Sequence, residues 1–351
     1  MSPFPREDFD RLSLYAPDRR PVALDLSDNT NQWGTHPAAL ERIRAATADD
    51  LARYPELYAD VLRDQVAETF GVPKECVATG CGSDDVLDST FRAVWGPGAF
   101  VSYAAPTFSL IEPFAHVNGM EVRAVSWSDA LDDPGSLLAG GPALVYICRP
   151  NNPTGSMAPR PWVERLLDLA GENGPLVLLD EAYADFAGET LIREATDHPR
   201  LLVARTLSKA YGLAGLRIGF AVGTPGTVLE VEKSRGPYKI TRLGSEAGAA
   251  ALADADGWMA AAVSECIENR VRLAEALTQR GLPPGESRAN FLLFRSLSGS
   301  AKDDALALRS EGVAVRPFTD IPDLGQALRV TVGPWPLMET FLNALDRVRT
   351  R

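Results

Sequence analysis

Leu201-Leu-Val-Ala-Arg-Thr-Leu-Ser-Lys-Ala-Tyr-Gly-Leu-Ala-Gly-Leu-Arg-Ile-Gly219 begins with four apolar residues, then turns to Thr206, Ser208 and Lys209, followed by two glycines and Arg217. An apolar run of strand length that gives way to polar side chains marks a buried strand emptying into a loop. Five lysines stand against thirty arginines in 351 residues. An amine at the tip of an apolar strand is therefore a candidate for chemistry, weighed against the plain reading of a charge that ends the strand in solvent.

The same alternation recurs on both sides of this stretch. Apolar runs at Cys76–Thr79, Ala99–Tyr103, Glu121–Val125, Ala143–Cys148, Leu176–Asp180, Leu201–Ala204 and Ile218–Val222 are separated, for the most part, by helix-like stretches such as Trp162–Ala170. Strands alternating with helices imply a largely parallel sheet with helices on both faces, so the chain reads as α/β with a large, mostly parallel seven-stranded unit. Ahead of it, helices are predicted from Pro37 and over Leu57–Phe70, the second with Leu62, Val66 and Phe70 on one face and Gly71 as its stop. From Trp258 the pattern changes to a long helix to Arg280, a strand at Asn290–Phe294, a helix at Asp303–Glu311, strands at Val313–Arg316 and Ala327–Val332, and a last helix to Arg349. That is a smaller α+β unit. We expect an N-terminal arm over residues 1–33, a large domain over 34–253 and a small C-terminal domain over 254–351.

Composition narrows the function. With 45% hydrophobic and 23% charged residues the chain is of ordinary globular type, and a net charge of −12 without a basic cluster argues against nucleic acid as a partner. No run approaches the roughly 18 apolar residues of a membrane span, and the first residues lack the apolar core of a signal peptide, so no membrane partner and a cytoplasmic location are expected. Cys76, Cys81, Cys148 and Cys266 lack metal-ligand spacing, and the three histidines are dispersed, so no metal is expected.

In open α/β sheets ligands bind beyond the carboxyl ends of the strands, and here those ends are polar. Gly80-Cys-Gly-Ser-Asp-Asp85 opens a helix with free N–H groups, a ready anion site, although Ser and Asp also simply cap helices. Pro106-Thr-Phe108 offers a ring for stacking or for the core. Asn151 and Asn152 precede Pro153 in a rigid turn. Leu178-Leu-Asp-Glu-Ala-Tyr183 ends a strongly apolar strand on Asp180, a carboxylate that must find a cation or strong donors. An amine, a carboxylate, a phenol, an amide, a stacking ring, an anion site and an arginine are the inventory that pyridoxal 5′-phosphate needs: a lysine for its aldehyde, an acid for its ring nitrogen, and a helix start with hydroxyls for its phosphate.

Arg53-Tyr-Pro, Gly82-Ser-Asp84, Pro106-Thr-Phe108, Pro150-Asn-Asn-Pro-Thr-Gly155, Asp180-Glu-Ala-Tyr183, Thr206-Leu-Ser-Lys-Ala210, Gly215-Leu-Arg217 and Leu328-Arg-Val-Thr-Val-Gly333 occur in this order. In them the chain resembles the fold type I pyridoxal-phosphate enzymes, and among these the histidinol-phosphate aminotransferase family, from about Leu14 to Leu345. The resemblance implies that Lys209 links covalently to the cofactor and shuttles the substrate's proton, and that Asp180 keeps the ring nitrogen protonated. It implies that Tyr183 and Asn152 bond the ring hydroxyl and Phe108 stacks on the ring. Gly82, Ser83 and Asp84 through their backbone, with Thr206, Ser208 and Arg217, would hold the phosphate. Tyr54 would reach the phosphate of a neighbouring subunit, which implies a homodimer. Arg329, Arg316, Asn152 and Tyr15 would bind the substrate, an amino acid or oxo acid.

Departures fall on the substrate side. Where the family usually reads Asn-Glu-Asn-Pro the chain has Asn29-Thr-Asn-Gln32; Ile111 replaces a common aromatic; and Tyr238-Lys239 stands for the usual Tyr-Asn. The leading expectation is an aminotransferase of histidinol-phosphate type using 2-oxoglutarate/glutamate. The alternatives are an aromatic or secondary-metabolism aminotransferase, a decarboxylase of a phosphorylated amino acid, and, more remotely, a non-catalytic binding protein of the same fold.

Overall fold

A computed structural model describes residues 20–350 together with Phe9, residues 12–16 and Asp18. In chain order the first strands are β1 (Leu24–Asp25), β2 (Val77–Cys81), β3 (Phe100–Ala105), β4 (Glu121–Ser126), β5 (Leu144–Cys148) and β6 (Leu176–Asp180). They are followed by β7 (Leu201–Thr206), β8 (Ile218–Val222), β9 (Phe291–Arg295), β10 (Val313–Ala314), β11 (Arg316–Ile321) and β12 (Gly325–Thr331).

Every residue of β5, β6 and β7 is buried, which is why these strands read as continuous apolar runs: helices cover both faces of the sheet. They form the centre of a seven-stranded sheet of order β2-β8-β7-β6-β5-β3-β4. Pairing is parallel except for β8, which runs antiparallel to both β2 and β7. The short connection from Thr206 to Ile218 leaves no room for the crossover helix that a parallel return requires. The carboxyl ends of β5, β6 and β7 are level, with Cys148 beside Asp180 and Asp180 beside Ala204. The loops that follow them therefore emerge at one edge.

Flanking helices bury one stripe each. The helix Arg160–Ala170 encloses Trp162, Val163, Leu166 and Leu167, the spacing of a core-facing surface. The helix expected from Leu57 starts at Asp60, because Ala59 takes a left-handed conformation (φ 53°) that cannot continue a right-handed turn. Among the described residues no helix is long and apolar enough to cross a membrane, and no group of three or more His, Cys, Asp and Glu side chains could hold a metal ion.

A second sheet of three strands, β11-β12-β9, is antiparallel throughout. Phe294 of β9 packs against Phe341 of the helix Trp335–Arg349 with ring centres 6.3 Å apart. The run Val313–Arg316, read as one strand, divides: β10 pairs with β1, while β11 begins at Arg316 and pairs with β12. The N-terminal segment, irregular by composition, thus supplies a short parallel strand to the C-terminal part of the chain.

Leu178 lies at the centre of β6 with no exposed surface. Leu178→Ala is expected to cost about 2–5 kcal/mol through lost transfer energy and a residual cavity, measured as a lower urea midpoint at unchanged slope.

Candidate active site

Asp180 ends β6 and is 3% exposed. The Tyr146 hydroxyl donates to its Oδ2 at 2.8 Å and the Ala182 N–H to its Oδ1 at 3.1 Å. Burial raises the carboxyl pKa to about 6; these two hydrogen bonds pull it down again, Asp84 pushes it up and Lys209 draws it down. The Lys209 amine donates to the Asp28 carbonyl at 3.0 Å and lies 5.8 Å from the centre of the Tyr183 ring. Desolvation lowers this amine to about 8, Asp28 opposing and Arg329 adding to the shift. The Tyr183 phenol accepts from Asn29 Nδ2 at 3.0 Å, and burial moves its pKa upward.

A cradle of backbone lies beside these groups. β2 runs into the helix Gly82–Val94, and its end pairs with the start of β8, Gly80 opposite Gly219 and Cys81 opposite Ile218. The Gly82 N–H donates to the Arg217 carbonyl at 3.0 Å, and Arg217 Nη2 pairs with Asp84 Oδ2 at 2.9 Å. A Cβ on Gly82 would sit 2.5 Å from Arg217 Nη2, and one on Gly219 only 2.3 Å from the backbone of Gly82 and Ser83. Gly219 has to be glycine for the chains to come this close, and Gly82 holds φ 79°, which residues with side chains rarely adopt. Thr206 Oγ1 donates to Ser208 Oγ at 2.9 Å and accepts from the Ser208 N–H at 3.1 Å. Ser83, Thr206 and Ser208 are all buried here, close to a helix N-terminus whose free N–H groups favour an anion.

On the other side, Arg316 and Arg329 are direct cross-strand neighbours in β11 and β12. Arg329 donates through Nη1 to Asn152 Oδ1 and through Nη2 to the Ser27 carbonyl at 2.8 Å, while its buried Nε has no partner among the described residues. Its guanidinium lies 5.2 Å from the ring centre of Phe291 and 5.5 Å from that of Phe318. Burial lowers its pKa to about 10, Tyr183 opposing and Arg316 reinforcing. Arg316 lies over the exposed Tyr15 ring at 5.7 Å.

The fold therefore links Lys209 with Asp180 and Tyr183, sets Gly82, Ser83, Asp84, Thr206, Ser208 and Arg217 into one cradle, and gathers Asn152, Arg329, Arg316 and Tyr15. Phe108 is half-buried against the core, in a loop tied to the turn after β5 by Thr107 Oγ1 on Asn151 Oδ1 (3.1 Å). Tyr54 stands apart, 80% exposed and stacked on Tyr238 at 4.8 Å. Sequence reading missed Tyr146, whose hydroxyl inside an otherwise apolar strand had to find a partner, and treated Asn29 only as part of an altered motif.

The sequence profile described as aminotransferase class I and II matches residues 21–347. The chain is 32% identical to histidinol-phosphate aminotransferase 1 of Nostoc sp. over 350 residues, 98% of each chain. It is 33% identical to the aromatic amino acid aminotransferase of Streptomyces avermitilis over 361 residues, covering 99% of this chain and 98% of that one. The histidinol-phosphate aminotransferase of Sinorhizobium meliloti, solved in complex with pyridoxal 5′-phosphate, superposes with a TM-score of 0.88 at 27% identity, over 98% of this chain and 97% of that one.

Two titrations follow. Asp180 has a folded pKa of about 6 against 3.8 unperturbed, so its contribution to stability is complete below pH ~4 and is lost as pH rises through 6. In apoprotein, Asp180→Asn should remove on the order of 2–3 kcal/mol of pH dependence from the urea profile over that window. Competitive amine labelling of apoprotein, read by mass spectrometry, should give Lys209 a midpoint near 8 rather than 10.5.

Proposed function

Because the chain belongs to the class I and II aminotransferases and has the fold type I architecture of pyridoxal-phosphate enzymes, we propose that it is a pyridoxal-phosphate-dependent aminotransferase. It would move an amino group between 2-oxoglutarate/glutamate and an amino acid or amino-alcohol phosphate of histidinol-phosphate type. The observation that carries the reading is the grouping of a lowered lysine amine, a buried acid and a glycine-walled anion cradle at one sheet edge.

These residues fit the cofactor. The first turn of the helix Gly82–Val94 suits its phosphate, held by the N–H groups of Ser83 and Asp84 with Thr206, Ser208 and Arg217, while Gly82, whose own N–H is on the Arg217 carbonyl, lets the Arg217 guanidinium come close. Asp180 would hold a proton on the ring nitrogen, Tyr183 and Asn152 would bond the ring hydroxyl, and Phe108 would lie on the ring face. Bound there, the cofactor would supply an electron sink for the carbanion at the substrate's Cα. With its amine lowered to about 8, Lys209 retains an uncharged fraction at neutral pH and can take and return the Cα proton. Arg329, with a buried donor unpartnered among the described residues and Arg316 beside it, suits the carboxylate or phosphate of a substrate; Tyr15 and Asn152 complete that end. Tyr54, exposed together with Leu51, Leu57, Tyr58 and Val61, would reach a neighbouring copy in a homodimer.

A second reading, an aromatic amino acid as donor, is favoured by the rings of Phe291, Phe318 and Tyr15 around the two arginines.

Protein incubated with pyridoxal phosphate should turn yellow and lose that colour with its amino donor, histidinol phosphate fastest; fastest bleaching by aromatic amino acids would select the second reading. Failure to take up the cofactor would sink both, and release of CO2 without formation of glutamate would point to decarboxylation. Lys209→Ala should abolish turnover. Arg329→Gln should raise KM for 2-oxoglutarate about 10-fold or more, as expected for loss of a charge-assisted bond. Sedimentation should report a dimer, and Tyr54→Ala should weaken cofactor binding.

A further inference from the structure

Asn29 is 1% exposed and holds a left-handed backbone (φ 59°), a conformation that asparagine tolerates better than most residues. Three of its polar groups are engaged. Its N–H donates to Thr331 Oγ1 at 3.1 Å, its carbonyl accepts from Asn290 Nδ2 at 3.1 Å, and its Nδ2 donates to the Tyr183 hydroxyl at 3.0 Å. Thr331 Oγ1 gives its hydrogen to the Leu26 carbonyl at 2.8 Å, which leaves its lone pairs to accept the Asn29 N–H. Thr331 follows Arg329 by two residues on β12, hence on the same face of the strand. The preceding residue, Asp28, accepts the Lys209 amine through its carbonyl, and Ser27 accepts from Arg329 in the same way. Three consecutive residues of the N-terminal segment thus touch the site's amine, its phenol and its buried arginine.

We propose that Asn29 is a positioning residue for Tyr183: by occupying a lone pair of the phenol oxygen it leaves the O–H free to donate toward the ring hydroxyl of bound pyridoxal phosphate, and through Thr331 it ties that orientation to the strand that carries Arg329. The inference rests on the pyridoxal-phosphate reading above. A phenol has one donor and two acceptor sites, so an incoming N–H selects what the O–H can do. Deprived of the phenol's hydrogen, the ring oxygen carries more negative charge and holds the neighbouring proton at Lys209 more tightly.

The test is a double-mutant cycle of Asn29→Asp with Tyr183→Phe, and Asn29→Gly beside it, since glycine keeps the left-handed backbone while deleting the amide. For each protein the pH midpoint of the absorbance change is measured in the yellow form, and pyridoxal-phosphate affinity and Tm are measured from the apoprotein. In Asn29→Asp the new carboxylate accepts the phenol's hydrogen. The midpoint should rise by roughly one pH unit, the size of one bond to a charged group, with weaker cofactor affinity; in the Tyr183→Phe background only the smaller rise that the added charge itself produces should remain. Unchanged midpoints in both Asn29 variants, or the same shift with and without the Tyr183 hydroxyl, overturn the proposal while the cofactor reading stands. Wild-type protein that takes up no pyridoxal phosphate overturns both. Should Asn29→Gly not fold, the nearly isosteric Asn29→Asp decides the cycle.

Discussion

Asp180 is a carboxylate at the end of a strand with no exposed residue, where an ion left without partners costs several kcal/mol. Much of the surrounding architecture answers that constraint. Tyr146, across the sheet in β5, is close enough to donate because the strands are in parallel register, Tyr146 opposite Leu178. The turn after β6 brings back the Ala182 N–H. Even so, burial holds the carboxyl pKa near 6, a site that gains by meeting a cation. Its neighbour Glu181, also fully buried, is treated differently: it accepts the Leu191 N–H at 2.9 Å and faces Arg205 at 3.6 Å. One carboxylate is neutralised within the framework, and the other is left to act.

The reversed strand β8 sets the second condition. By running back along β7 and meeting β2 it places Gly219 against Gly82 and Ser83, so that the first turn of a buried helix faces the loop carrying Lys209. A parallel β8 would put Arg217 at the far edge of the sheet. This approach is therefore a consequence of a short connection, and Gly219 is what allows the two backbones to pass within van der Waals contact.

The N-terminal segment joins the two sheets at the site. Leu24–Asp25 pairs with β10, Ser27 holds Arg329, Asp28 holds Lys209, Asn29 holds Tyr183, and Asn31 Nδ2 bonds the Ala210 carbonyl at 2.9 Å. Further on, a Cβ on Gly212 would strike the Gly34 carbonyl at 2.0 Å. The amine and the arginine thus depend on a segment that has hardly any regular structure of its own.

Local pattern was enough for the seven strands of the large sheet and for the polar residues at their ends, though not for β1 or for the division between β10 and β11. Apolar runs such as Leu176–Asp180 can be stable only when covered on both faces, and a polar residue closing such a run has few places to go, so Lys209, Asp180, Asn152 and the Gly82 turn stand out one by one as candidates. What local pattern could not carry is proximity between distant residues. That Tyr146 donates to Asp180, that Arg316 faces Arg329, and that Asn29 reaches Tyr183 across 154 positions of chain depend on register and on the path of a loop. The helix start at Asp60 likewise turned on the backbone of one alanine, whose left-handed conformation no propensity of alanine suggests. Side-chain chemistry is a property of the sequence; which of those chemistries meet is decided by strand register and close packing, which act only once the chain is folded.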